Sequence, residues 1–341
     1  MSGSSKKSTK DKRILVVRLS ALGDVAILAP VVKARAKANR NCTFLVAAPA
    51  KLEPLFNGVE NIQFVPTTKK QSSKQLYNQW CKLKPTIVAD MHHVNRVVGA
   101  DLLFLMHGVP VKHIKKEKIK RHRMMRRIDK DHSPLTPSWK RYDMVFDACG
   151  LEPSNIEENA TTPWPIKQHP FPIRIGIAPT AQHKGKIWPI DKMERLLGLL
   201  TQSKKYKIQL FGGPDETEMF EKWTSQFENT ESMACKMSFA EELKSIGQLD
   251  LMLCMDSANM HFASAMGIPV ISIWGATHPD AGFYGWRQSK ALAIQKSMHC
   301  RPCSTFGNKP CHYGHYKCLG TISPENVFQQ IESVFAQARF E

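Results

Sequence analysis

Short apolar runs alternate with stretches of helical periodicity through the first half of the chain. Residues 14–18, 43–47, 62–65 and 86–89 are four or five residues long and mostly apolar, as expected for buried strands. Between them, 24–38 and 74–83 carry apolar positions at helical spacing, and 139–149 predicts a further helix. Strand–helix alternation of this kind implies parallel strands joined by right-handed crossovers. Residues 161–172, TTPWPIKQHPFP, hold four prolines. They predict an interdomain linker, since proline disfavours both helix and central strand. A second series follows, with strands over 173–178, 207–211, 249–254 and 270–274. Its helices cover 191–200, 215–227, 239–246, 257–266 and 324–338. The expected fold class is α/β, with two Rossmann-like domains facing each other across a cleft and ligands beyond the carboxyl ends of the strands. The predicted boundaries are a disordered basic tail over 1–12, a first domain over 13–160, the linker, a second domain over 173–322, and a helix within 323–341 packing back across both domains.

A chain of 341 residues suits two domains of about 150–170 residues each. Its hydrophobic fraction of 42% supplies packed interiors for both. No run of about 18–20 uncharged apolar residues exists to span a bilayer. Arg18 and Asp24 interrupt the first apolar stretch too early for a signal-peptide core, so a cytoplasmic location is expected. The net charge of +18 is unevenly placed: residues 112–130 hold ten Lys/Arg against two acids, and residues 1–13 hold five against one. Charge runs are usually solvated surface. Here the concentration also suits a phosphorylated or membrane-bound anion. No DNA- or RNA-binding motif accompanies it, so no nucleic-acid partner is expected.

Three segments carry candidate chemistry. The first strand runs into Arg18-Leu19-Ser20-Ala21-Leu22-Gly23-Asp24 and then a helix. Asp24 there reads either as an N-cap or as a general base above the ligand edge. No G-x-G-x-x-G occurs in this turn, which counts against a dinucleotide site. In the second series, the loop after the first strand holds Thr180, Lys184 and Lys186. A hydroxyl and two ammonium groups at a strand end suit a diphosphate, although a solvated loop before a helix gives the same pattern. Asp256-Ser257-Ala258-Asn259-Met260-His261 follows an apolar strand and opens a helix whose free N–H groups make an anion site. A plain helix cap is the competing reading.

Taken together, RLSALGDVAILAP (18–30), KIWPIDKMERLL (186–197), FGGPDETE (211–218) and DSANMHFASAMGIPVISIWGATHP (256–279) resemble glycosyltransferase family 9, whose best-known members are the ADP-heptose:lipopolysaccharide heptosyltransferases. The resemblance implies a GT-B fold and an inverting transfer of a sugar from a nucleotide-diphosphate donor, by the family's habit heptose from ADP-heptose, to a lipopolysaccharide or lipooligosaccharide core acceptor. It places the catalytic aspartate on Asp24, the phosphate-binding lysine on Lys186 and an acidic donor contact on Asp256. Thr180, Asp215, Ser257, Ala258 and His261 complete the expected donor site. Ala258 stands where the family usually has glycine. Ser20, Gly23, Lys120, Arg121, Arg123 and Arg126 form the expected acceptor or anionic surface, placed in the first domain. The partners implied are the nucleotide-sugar donor, an anionic glycolipid acceptor and, by electrostatics, the inner face of the cytoplasmic membrane. No divalent metal is expected for transfer, and no DXD motif occurs. The alternatives are an anion- or nucleic-acid-binding protein without transferase activity and another nucleotide-sugar enzyme such as an epimerase.

Cys300, Cys303, Cys311 and Cys318 read C-x2-C-x7-C-x6-C, with His299, His312 and His315 interleaved. A C-x2-C pair suits a structural zinc, but the six-residue second spacing does not; reduced thiols or strained disulfides fit equally. Far from the donor motifs in sequence, the cluster is given no catalytic role.

Overall fold

The computed structural model describes residues 12–68, 70–156, 164–165 and 172–337. The expected tail therefore lies outside the described residues apart from Lys12, and the expected linker apart from 164–165 and 172. The chain divides into two compact units, one of residues 1–116 and 139–157, the other of residues 117–138 and 158–341.

The first unit is built on β1 (Lys12–Val17), α1 (Leu22–Ala38), β2 (Cys42–Pro49), β3 (Ile62–Thr67), α2 (Ser73–Cys81), β4 (Ile87–Asp90), α3 (Asn95–Met106) and β5 (Val111–His113). The strands form one parallel sheet in the order β3-β2-β1-β4-β5. Central β1 is buried along Ile14–Val17 and β2 along Phe44–Ala48, as a sheet covered on both faces requires. The chain then leaves this unit through α4 (Lys118–Met124) and returns as α5 (Ser138–Ala148). Arg35 on α1 explains the return. Its buried guanidinium meets Asp143 at 2.5 Å and Asp147 at 2.6 Å, and donates to the Glu152 carbonyl. A buried arginine needs such partners, so α5 is tied to α1 by charge as well as packing.

The second unit contains β6 (Ile173–Ala178), α6 (Ile190–Gln202), β7 (Tyr206–Leu210), α7 (Thr217–Gln226), β8 (Thr230–Ser232), α8 (Phe239–Ile246), β9 (Leu251–Met255), α9 (Ala258–Ala265), β10 (Val270–Trp274), β11 (Ala293–Gln295), α10 (Lys317–Gly320) and α11 (Pro324–Gln337). All six strands are parallel, ordered β11-β10-β9-β6-β7-β8. Every residue of β9 and β10 is buried. On α6, Met193, Leu196, Leu197 and Leu200 are buried, the one-faced stripe of a helix laid on a sheet.

One expected boundary is corrected. Residues 117–138 belong to the second unit rather than the first: the Leu135 and Ser138 N–H groups donate to the Asp280 and Gly282 carbonyls at 2.9 and 2.8 Å, and Met124 and Leu135 share a small core with Ala281. Within the second unit, Val327, Ile331 and Val334 of the closing helix, α11, enter the core, and its Glu325 and Glu332 pair with Arg195 and Lys205. Among the described residues no helix is long and apolar enough to cross a membrane.

Candidate active site

In the first unit, β1 delivers Arg18, Ser20 and Asp24 to the carboxyl end of the sheet. Helix α1 starts at Leu22, so Asp24 is its third residue and not the N-cap, which is Ala21. The Asp24 carboxylate reaches back to accept from the Ala21 N–H at 3.3 Å, the acidic half of a capping box. It also forms an ion pair with Arg18 and lies 3.5 Å from the Tyr142 hydroxyl, supplied by α5. Arg18 is held from behind by the Met91 carbonyl at 2.7 Å, with its guanidinium 5.8 Å from the Tyr142 ring centre. Burial works against the Arg18 charge, but Tyr142, Asp24 and Asp90 outweigh it and hold the guanidinium protonated. Burial pushes the Tyr142 phenol well above its ordinary value, so that hydroxyl remains a donor. Gly23, between Leu22 and Asp24, is half-buried in the same turn.

Sequence reasoning did not single out the neighbours of this turn. The Ser20 hydroxyl lies 3.2 Å from His92 Nε2. Burial and then the Arg18 charge push the His92 imidazole down to about 4, leaving it neutral at physiological pH. Asp90 ends β4, in register with Val17 of β1. One of its oxygens accepts from the His92 and His93 N–H groups at 2.7 and 2.8 Å. Burial, then the Asp90 carboxylate, push the Asp101 carboxyl on α3 up to about 8.

That shift has a readable consequence. A folded-state value above the unfolded 3.8 means the folded protein keeps a proton that the unfolded chain releases. The associated stability is complete below about pH 4 and drains as pH rises towards 8. Asp101→Asn cannot titrate. In thermal melts of the metal-stripped chain it should therefore exceed wild type at pH 8 and converge with it near pH 4, whereas a constant difference across that range would contradict the assignment.

In the second unit, β6 ends at Ala178 and the following loop turns through Lys184–Lys186. Lys186 Nζ meets Asp256 Oδ2 at 2.9 Å, both side chains mostly buried. Asp256 directly follows β9, Ser257 is the N-cap of α9 and Ala258 its first residue. The Ser257 hydroxyl is buried and makes no hydrogen bond to another described residue, so the cap position does not use it. His261 is buried on the same helix. Thr180 joins the group through Glu216, whose carboxylate accepts from the Thr180 hydroxyl at 2.9 Å and from the Gly213 N–H at 2.7 Å. Glu216 is thus the inward acid of the FGGPDETE turn. Asp215, the residue expected there, is exposed.

The cysteine loop is not remote from this site. The Gly185 carbonyl accepts from the Ala276 N–H at 2.8 Å, and the Ala276 carbonyl in turn accepts from the Cys303 and Ser304 N–H groups at 3.0 and 3.2 Å. Gly307 lies against Lys186: a Cβ on it would come within 2.7 Å of the Lys186 stem, and its φ of +76° already requires glycine. Arg301, buried, ties the same loop to the Gly275 and Thr277 carbonyls. The four cysteines are free thiols. Burial raises Cys303 and Cys318, and the neighbouring thiols add to it. Among the described residues, the single set of three metal-ligating side chains with ligand atoms within 4.8 Å of one another is Asp90, His93 and Asp101. Zinc on the cysteines would require the loop to draw its sulfurs together.

The basic surface divides into anchored and exposed parts. Lys120 donates to the Pro134 carbonyl at 2.8 Å and Arg121 lies over the Phe283 ring, whereas Arg123, Arg126 and Arg127 are exposed. The first two therefore hold the segment on its own unit, and the others carry its outward charge.

Known proteins match this arrangement. A model of glycosyltransferase family 9 (heptosyltransferase) matches residues 151–316, the span that contains Thr180, Lys186, Glu216, Asp256 and His261. Over that span the chain is similar to glycosyltransferase family 9. Lipooligosaccharide heptosyltransferase 2 of Campylobacter jejuni subsp. jejuni serotype O:6 is 24% identical over 166 residues, 47% of this chain and 51% of that protein. The chain spans about half the length of the curated relatives it matches. The glycosyl transferase family 9 structure from Veillonella parvula superposes with a TM-score of 0.70 at 20% identity, covering 96% of this chain and 98% of that one. E. coli ADP-heptose LPS heptosyltransferase II gives 0.65 at 16% identity, covering 96% and 99%. These likenesses establish the GT-B fold.

Proposed function

We propose that this chain is a family 9 glycosyltransferase, an inverting heptosyltransferase that moves heptose from ADP-heptose to a lipopolysaccharide or lipooligosaccharide core acceptor. The observation that carries the reading is the Lys186–Asp256 pair at the amino end of α9, beside the unused Ser257 hydroxyl. A buried lysine poised at a helix N-terminus is a ready site for a diphosphate, and Asp256, released from Lys186, is free to accept from donor hydroxyls. The donor named for E. coli ADP-heptose LPS heptosyltransferase II fits that chemistry.

In the transfer, Asp24 takes the proton of an acceptor hydroxyl as its oxygen attacks the anomeric carbon. The bond from that carbon to the diphosphate breaks, and its electron pair leaves with ADP. Lys186 and the α9 N–H groups stabilise the charge growing on the departing diphosphate, which is electrostatic catalysis. A single displacement inverts the anomeric centre, and the scheme calls on no divalent metal. Arg18 holds the Asp24 carboxylate in position through their ion pair until the acceptor arrives, and Tyr142 contributes a second donor to the same carboxylate. Binding of donor to the second unit is tested by thermal stabilisation. ADP-heptose at 100 times its Kd should add about 2.7 kcal/mol to stability, and nucleotide sugars that leave the melt unchanged are excluded as donors.

The acceptor is proposed to be an anionic glycolipid met at the inner face of the cytoplasmic membrane, with Arg123, Arg126 and Arg127 supplying the attraction. Reversing those three exposed residues to Glu should weaken co-sedimentation with anionic vesicles by about 1 kcal/mol for each basic residue removed. Wild-type binding should fall as salt rises. Lys120 and Arg121 are left in place because they anchor the segment. Equal vesicle binding by mutant and wild type would mean that the segment is only solvated surface.

A further inference from the structure

We propose that Asp90, His93 and Asp101 form a binding site for one divalent first-row cation, beside the Arg18–Asp24 pair and outside the transfer chemistry given above. The three side chains come from β4, the turn after it and α3, and one ligand atom of each lies within 4.8 Å of the others. Geometry and partner accounting both point to a cation.

Asp90 has one oxygen committed to two backbone N–H groups, which fixes the direction of the carboxylate and turns the other oxygen inwards. That oxygen belongs to a fully buried side chain, and apart from a proton held between the Asp90 and Asp101 carboxyls neither it nor Asp101 Oδ1 has a hydrogen-bond donor. Burying carboxylate oxygens without a donor or a counter-charge is costly. His93 Nδ1 is also buried without a hydrogen-bond partner, 3.5 Å from the inward Asp90 oxygen. Two ligands bound at about 2.1 Å on a tetrahedral ion lie about 3.4 Å apart, so this pair already has the spacing of two ligands on one ion. The imidazole is held in that orientation by stacking on His113, 4.3 Å between ring centres and 11° between planes, and by Lys116 Nζ on the His93 carbonyl at 3.0 Å. Backbone donors that orient a ligating carboxylate, and a fixed imidazole, are the supports a metal site uses.

Two carboxylates and a neutral imidazole balance the charge of a divalent ion and leave a fourth position for water. Oxygen-rich sets with one imidazole suit Mn²⁺ and Zn²⁺. A proton shared between Asp90 and Asp101 would join those two groups alone, whereas a cation would also engage the imidazole nitrogen, 3.5 Å from the inward Asp90 oxygen.

The test is Mn²⁺ titration of the metal-stripped full chain, followed by loss of the free-ion electron paramagnetic resonance signal. Mn²⁺ is chosen because thiolates compete for it poorly, which keeps the cysteine loop silent. Wild type should bind one Mn²⁺ per chain and melt at a higher temperature with it. Asp101→Asn, isosteric with the protonated acid, and His93→Asn, which tolerates the φ of +47° at that position, should each bind about tenfold or more weakly. Neither variant should gain thermal stability from Mn²⁺, although both should melt cooperatively without it. Cys300→Ser should bind as wild type does. Failure of wild type to bind Mn²⁺, or equal affinity in wild type and both variants, overturns the site in favour of a shared proton. Because binding is read without donor or acceptor, the outcome does not depend on whether the chain transfers heptose.

Discussion

Asp24→Asn should retain donor affinity and lose transfer, with kcat falling about 10²–10⁴-fold. The amide is nearly isosteric and its oxygen still accepts from the Ala21 N–H, so the first turn of α1 keeps its contact. What it loses is the capacity to take a proton. The ion pair with Arg18 also goes, but Arg18 keeps the Met91 carbonyl, and a melt beside the kinetics separates any loss of fold from loss of chemistry. Near-normal turnover would leave Asp24 with the capping role alone and require another base.

Lys186→Met should be as damaging by a different route. Removal of one preorganised donor to developing charge lowers kcat by about 10²–10³-fold, and donor affinity should fall with it because the diphosphate loses its cation. The substitution also strands Asp256, which is mostly buried and pairs with Lys186 at 2.9 Å. Breaking a buried pair from one side costs about 3–5 kcal/mol. Adding Asp256→Asn removes the stranded charge, so the double variant should recover stability without recovering transfer. Recovery of both would assign Lys186 a structural role only.

Much of this architecture could be read from residue order, because buried parallel strands announce themselves as short apolar runs. The runs at 14–18, 173–178 and 270–274 coincide with β1, β6 and β10. Three-residue strands such as β8, with only Ser232 buried, carry no such signal. Helix α3 escaped for another reason: Leu102, Leu105 and Met106 are exposed on a helix whose other side is also apolar, so no single stripe stands out. The placement of 117–138 in the second unit rests on Leu135 and Ser138 bonding to Asp280 and Gly282, contacts between segments far apart in sequence that no local pattern encodes.

The site was legible to the extent that its residues lie in one motif. Asp24, Lys186, Asp256 and Ser257 fall at strand ends, where chemistry was expected. Tyr142 and His92, which join the Asp24 turn from other elements, were not visible in that way. The choice between Asp215 and Glu216 depends on which residue of a single turn faces Thr180, a matter of backbone rotation rather than residue type. Likewise, sequence distance hid the close approach of Gly307 to Lys186, which sets the cysteine loop beside the proposed donor site.

The most direct measurement is release of ADP from ADP-heptose in EDTA, with and without a lipooligosaccharide-core acceptor. ADP and heptosylated acceptor should appear together, only when acceptor is present, with the anomeric configuration opposite to that of the donor. Asp24→Asn should abolish both signals. Conversion of donor without acceptor, retention of configuration, or activity lost on chelation and restored by Mg²⁺ or Mn²⁺ would contradict transfer by Asp24 and Lys186.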